Sequence, residues 1–143
     1  MKDSELELWL QSDTFDTDNL RIHRLKAEER FGQIFEVELE VVALQGRVLD
    51  LDETVGAEAS VVVAVGGEPV RHFHGLLSRV VEMPVVADNY SVYQMTLSPH
   101  LWNATLVETL DVHVDSSVPE VLERLMGRID IAAGTDYTLS LSD

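Results

Sequence analysis

His72 and His74 flank Phe73. On a β-strand this spacing puts both imidazoles on one face, the way many zinc sites begin. Such a site needs a third and fourth ligand, and the neighbouring sequence supplies neither. The pair therefore reads as two histidines on a partly buried barrel face. Asp111, His113 and Asp115 repeat the pattern at period two. Two carboxylates beside an imidazole suit a divalent ion, but an ordinary exposed strand face has the same composition. Asp13, Asp16, Asp18 and Asn19 crowd one acidic stretch. Their spacing is not that of the twelve-residue calcium loop and no glutamate closes it, so a solvated turn is expected.

Nucleophilic chemistry has no better footing. There is no G-x-S-x-G elbow; Gly75 and Ser78 bracket Leu76-Leu77 without forming one. No cysteine is present to serve as nucleophile or to form a disulfide. Neither a G-x-G-x-x-G fingerprint nor a P-loop occurs. Carboxylate pairs are frequent, as they must be by chance in a chain with 26 acidic residues. Trp9 and Trp102 each stand alone, which suits core or interface anchors better than a stacking ladder. The expectation is a protein that is not an enzyme, with no catalytic, cofactor-binding or metal-binding residues and no cofactor.

Charge narrows the partners. Twenty-six acidic residues against 10 basic ones leave a formal net charge of -16. Phosphate backbones and anionic lipids are bound through clustered Lys and Arg, so neither nucleic acid nor a membrane surface is expected as a partner. No apolar run approaches the roughly 18–20 residues needed to span a bilayer. Met1-Lys2-Asp3-Ser4-Glu5 lacks the basic start and apolar core of a signal peptide. At 143 residues the chain fits one domain with a core held by packing alone.

The elements that would position these residues are mostly strands. From Ile34 to Val42, Phe35, Val37, Leu39 and Val41 alternate with Glu36, Glu38 and Glu40. That predicts a strand with one buried face and one wet, acidic face that stays out of any dry interface. Leu20 and Ile22 alternate with Arg21 and His23, and the pattern slips near Arg24-Leu25, as at a bulge. Ala57 to Val65 runs into Gly66-Gly67-Glu68, a hairpin signal. The partner strand, from Pro69 to about Met83, holds two competing registers: Phe73, Leu77 and Val81, or Leu76 and Val80. Ala87-Asp88-Asn89 reads as a turn into Tyr90–Leu97, where Tyr93, Met95 and Leu97 share a face. A helical turn near Leu101-Trp102, a strand from about Thr105 to Val114 and an edge strand over Tyr137–Leu141 complete the β content. One helix stands out: Ser117 and Glu120 form a capping box, Pro119 suits the first turn, and Val118, Val121, Leu122, Leu125 and Met126 make an apolar stripe that ends at Gly127. The fold class is mainly β: an antiparallel, six- to seven-stranded, barrel-like module with a C-terminal helix.

Four blocks carry a family resemblance. Phe35-Glu36-Val37-Glu38-Leu39, Arg71-His72-Phe73-His74-Gly75-Leu76-Leu77-Ser78, Tyr93-Gln94-Met95-Thr96-Leu97-Ser98-Pro99-His100-Leu101-Trp102 and Ser117-Val118-Pro119-Glu120-Val121-Leu122-Glu123 resemble, in order and spacing, the N-terminal hub region of VgrG. The match runs over about Leu20 to Gly127. VgrG is the spike protein of type VI secretion systems and is related to the phage baseplate hubs and late-control D proteins. The resemblance implies a structural hub that adapts a tail tube to a trimeric spike. Residues 1–143 would be a single hub-type β-barrel module, an N-terminal fragment of a longer chain. The implied partners are protein chains: a homotrimer in the full-length protein, the tail-tube ring protein, and effectors. The implied location is the cytoplasm before assembly, then the outside of the cell as part of the apparatus. Asp111-Val112-His113 departs from the family, whose members often carry a basic and an aromatic residue there.

Two other readings stay open. A stand-alone β-barrel binding module for a ligand or peptide would show a cavity with converging polar groups. A hydrolase would show a perturbed acid–base pair in a cleft.

Overall fold

The glutamate-rich alternation forms the third of six strands in one antiparallel sheet. The computed structural model describes residues 5–85 and 89–141. Its strands are β1 (Leu6–Gln11), β2 (Leu20–Glu28), β3 (Glu36–Leu44), β4 (Glu58–Val65), β5 (Glu68–Met83) and β6 (Tyr90–Ser98). A short helix α1 (Leu51–Thr54) precedes β4, a 3-10 helix spans His100–Leu106, and α2 covers Val118–Gly127. The chain divides into two compact units, residues 1–99 and 100–143.

Within the first unit the sheet order is β1-β4-β5-β6-β3-β2. One face of every strand turns inward. Val37, Leu39 and Val41 of β3 meet Val61 of β4, Phe73, Leu77 and Val80 of β5, and Tyr93, Met95 and Leu97 of β6. Burial of apolar surface at about 25 cal/mol per Å² drives this arrangement. The sheet does not close into a barrel. No ladder joins β1 to β2; Glu7–Gln11 and Thr17–Arg21 line a cleft beside them.

Gly66 and Gly67, with φ of 60° and 83°, make the two-residue turn between β4 and β5. Positive φ at both central residues gives a turn whose twist matches that of the strands. The slip expected near Arg24 is a register shift between Ile22 and Arg24. The two competing registers of β5 are both used, one after the other. Phe73 and Leu77 point inward, a shift falls between Leu77 and Arg79, and Val80 then takes the inward position. Val81 is only half-buried.

Two expectations need correction. No strand forms over Thr105–Val114; the 3-10 helix ends at Leu106 and irregular chain follows. No strand forms over Tyr137–Leu141, where an isolated Ala133–Tyr137 bridge sits on a tight turn. Period two shows that a segment suits a sheet, but a strand exists only beside an edge that accepts it. The sixth strand is instead β1, whose Leu6, Leu8 and Leu10 alternate with Glu7 and Trp9. The turn expected at Ala87-Asp88-Asn89 lies outside the described residues except for Asn89, whose carbonyl accepts from Gly46 N at 2.9 Å.

In the second unit, α2 starts as expected. Glu120 reaches back and accepts from Ser117 N at 2.7 Å and from Ser117 Oγ at 2.8 Å. These bonds hold the Glu120 carboxyl below its usual range, the Ser117 backbone bond being the largest cause. No residue of α2 is buried, so its apolar stripe stays partly open.

Candidate functional site

Two networks fix the ends of the sheet. At the end carrying the β2–β3 turn, Phe73 packs against Phe35 with ring centroids 6.0 Å apart and tilted by 56°. The Arg71 guanidinium lies 5.2 Å above the Phe73 ring, and its Nη2 donates to Glu29 Oε1 at 2.6 Å. A cation over an aromatic face is attracted by the ring quadrupole, and the carboxylate holds it there. Phe73 itself is 6% exposed, as the expected inward register requires.

At the opposite end the fully buried Tyr93 accepts from Leu49 N through its hydroxyl at 3.0 Å. This anchors the chain between β3 and α1. Arg47, on the same connection, donates to Asp16 Oδ2 at 2.7 Å and to Asp18 O at 2.5 Å. The stretch Asp13–Asn19 is thus an arginine-held latch. Asp16 also accepts from Asp18 N at 2.8 Å. That bond is the largest cause that holds the Asp16 carboxyl below its ordinary value; desolvation opposes it, and Arg47 adds to the lowering.

The outer face is a charge mosaic. Glu36 and Glu38 are exposed and Glu40 half-buried, as expected of the wet face. Lys26 lies 3.7 Å from Glu38, and His23 lies 3.9 Å from Glu40. Arg24 and Arg79 each follow a register shift. Without the shifts their parity would aim both into the core. With them, both line an outer concavity of about 540 Å³ together with Lys26, Glu38, Glu40, Gln94 and Thr96. Bulges re-aim side chains in this way.

His72 and His74 do share the outer face of β5, opposite Val62 and Ser60, but both are exposed rather than partly buried. His74 Nδ1 is 2.8 Å from Ser60 Oγ. Asp111, His113 and Asp115 do not share a strand face, since no strand forms there. Asp111 is held by Arg128, with Thr109 accepting from the same guanidinium at 3.1 Å. The Arg128 bond is the main reason the Asp111 carboxyl sits below its ordinary range. His113 Nδ1 lies 3.1 Å from Arg124 Nη1, and Asp115 turns away with φ of 54°.

Sequence reasoning named Gly75 in a failed nucleophile motif and in a family block, but gave it no structural role. A Cβ at Gly75 would lie 2.0 Å from Ser98 O and 3.2 Å from Pro99 Cα. Only glycine lets β5 approach the end of β6 so closely. The signal was the unexplained glycine inside an otherwise apolar strand.

Known proteins place this arrangement. A family model for the phage tail baseplate hub (GPD) matches residues 28–142. The type VI secretion system spike protein VgrG1c of Pseudomonas aeruginosa is 30% identical over 106 residues, 74% of this chain and 14% of that protein. VgrG1a of the same organism is 28% identical over 108 residues, 76% of this chain and 16% of that protein. The chain thus spans about a seventh of the length of these relatives. An E. coli protein, c3393, shares the fold with a TM-score of 0.58 at 12% identity, over 75% of this chain and 31% of that one. It is described as a type VI secretion component structurally similar to the T4 tail proteins gp27 and gp5. The chain described here belongs to the phage tail baseplate hub family.

Proposed function

We propose that this chain is a non-catalytic structural hub module of a contractile injection machine, where it adapts a tail tube to a trimeric spike. Residues 1–143 act as one hub-type module at the N-terminal part of a longer protein. The full-length protein assembles as a homotrimer and meets the tail-tube ring protein and effectors. It is made in the cytoplasm and leaves the cell with the apparatus. Neither nucleic acid nor membrane is among its partners, in keeping with the net charge of -16. Among the described residues no helix is long and apolar enough to cross a membrane.

One observation carries this reading: the hub-family match over residues 28–142 includes β3 to β6, whose inward faces are filled by side chains. Val37, Val41, Leu77, Tyr93 and Leu97 are each 0% exposed. A filled interior suits a structural ring component and gives no support to a barrel whose interior is a binding pocket.

The test is an export assay in the source organism. In-frame deletion of residues 20–127 from the full-length gene should abolish export of the tube protein into the medium. Export at the wild-type level from that strain would contradict the reading.

A further inference from the structure

The geometry points to the outer concavity of the sheet as a docking site for an acidic segment of a different protein, held by Arg24 and Arg79. This goes beyond the hub reading and does not rest on it.

Among the described residues, every Lys and Arg has a hydrogen-bond or ion-pair partner except these two. A chain with 26 acidic residues offers carboxylates widely, so two unpaired guanidinium groups stand out. Both line the same concavity of about 540 Å³. Each is also the first residue after a register shift, and without the shifts both would aim at the core. Two separate distortions of the ladder thus present two unpaired cations on one surface.

Cross-strand pairing fixes their places. One row across the sheet runs Arg79, Thr96, Glu38 and Lys26; in the next, Gln94 and Glu40 lead to Arg24. The arginines therefore stand on opposite walls, separated by three strand spacings, roughly 14 Å. The carboxylates of the floor already have neighbours, Glu38 with Lys26 at 3.7 Å and Glu40 with His23 at 3.9 Å. A compact anion reaching both guanidinium groups would sit over Glu38 and Glu40, and like charge opposes that. Two carboxylates on one extended segment, about four residues apart at roughly 3.4 Å each, meet one arginine on each wall. The planar fork of arginine favours a carboxylate partner. A second copy of this chain carries -16 and is repelled over its whole surface, which leaves a different protein as the occupant.

The test is a titration of the 143-residue chain, followed by amide NMR, with a capped peptide of three serines between two glutamates. Saturable shifts should appear at residues 24–26, 38–40, 79 and 94–96, with a dissociation constant below about 10 mM. They should weaken with added salt. Arg24→Gln with Arg79→Gln should weaken binding about tenfold or more, with the circular dichroism of the sheet unchanged. Arg21→Gln with Arg30→Gln removes the same charge outside the concavity and should leave binding as it is. Absence of saturable shifts overturns the proposal, as does equal weakening in the two double variants. Inorganic phosphate that shifts the same residues as tightly as the peptide makes this a small-anion site and also overturns it. So do concentration-dependent shifts there without peptide, which assign the carboxylates to a second copy. The wild-type shifts and the phosphate titration decide the matter even where a variant fails to fold. A negative result here leaves the hub reading untouched, because export by the full-length protein tests that separately.

Discussion

Gly75→Ala is the sharpest perturbation of the sheet. The new methyl carbon would lie 2.0 Å from Ser98 O and 2.8 Å from Ser98 C. A carbon normally comes no closer than about 3.3 Å to a carbonyl oxygen, so β5 and β6 must part by roughly 1.3 Å at this point. The obstacle is backbone, which has no rotamer to change. Ser98 is fully buried and tied to Ser78 by a 2.8 Å hydroxyl bond, and Leu76 pairs with it in the ladder. Overpacking of a rigid site costs about 1–3 kcal/mol and occasionally more, and this geometry belongs at the upper end. A loss of about 3 kcal/mol should lower the melting temperature of a unit this size by roughly 12–24 °C. Urea unfolding followed by circular dichroism measures it, with an unchanged slope in denaturant. Gly127→Ala is the matched control, because nothing lies within 4 Å of its added Cβ and its φ is not in the left-handed region. It should leave the sheet transition where it is. A loss below about 0.5 kcal/mol for Gly75→Ala would show that the close approach of β5 to Ser98 is absent, since exposed, unconstrained sites behave that way.

Phe73→Ala should destabilise the sheet by about 3–5 kcal/mol in urea unfolding, since it removes a buried ring packed on Phe35 and beneath Arg71. Tyr93→Phe should cost about 1–3 kcal/mol by leaving the Leu49 N–H unpaired, and should speed amide exchange at Leu49 selectively. The Asp16 carboxyl is held below its ordinary value of 3.8 in the folded chain, chiefly by Asp18 N–H and then by Arg47. Its contribution is therefore present above the unfolded pKa and lost as pH falls through the lower folded one. Amide exchange at 16–20 should be faster in Asp16→Asn than in wild type above about pH 4, and the difference should vanish on further acidification.

Much of this fold was legible because its signals are local. The Glu36/Glu38/Glu40 alternation, the Gly66-Gly67 turn and the Ser117/Glu120 box each act within a few residues. The ambiguity of β5 was real, and the shift after Leu77 resolves it by using both registers. What was missed depends on partners distant in sequence. β1 becomes a strand only because Leu6–Gln11 finds β4, fifty residues on. Residues 110–114 have the same alternation but form no strand. The latch of Arg47 on Asp16 joins two loops with no pattern linking them. Function was readable only through resemblance, because a hub acts through shape and edges rather than through a constellation of reactive groups.

The most direct test of the account is the mass and map of the full-length protein that carries this chain. Light scattering and electron cryomicroscopy should show a trimer in which the six-stranded sheet of each copy forms part of a ring around the threefold axis. A monomeric particle, or a trimer in which this sheet lies apart from the axis and touches no other copy, would contradict it.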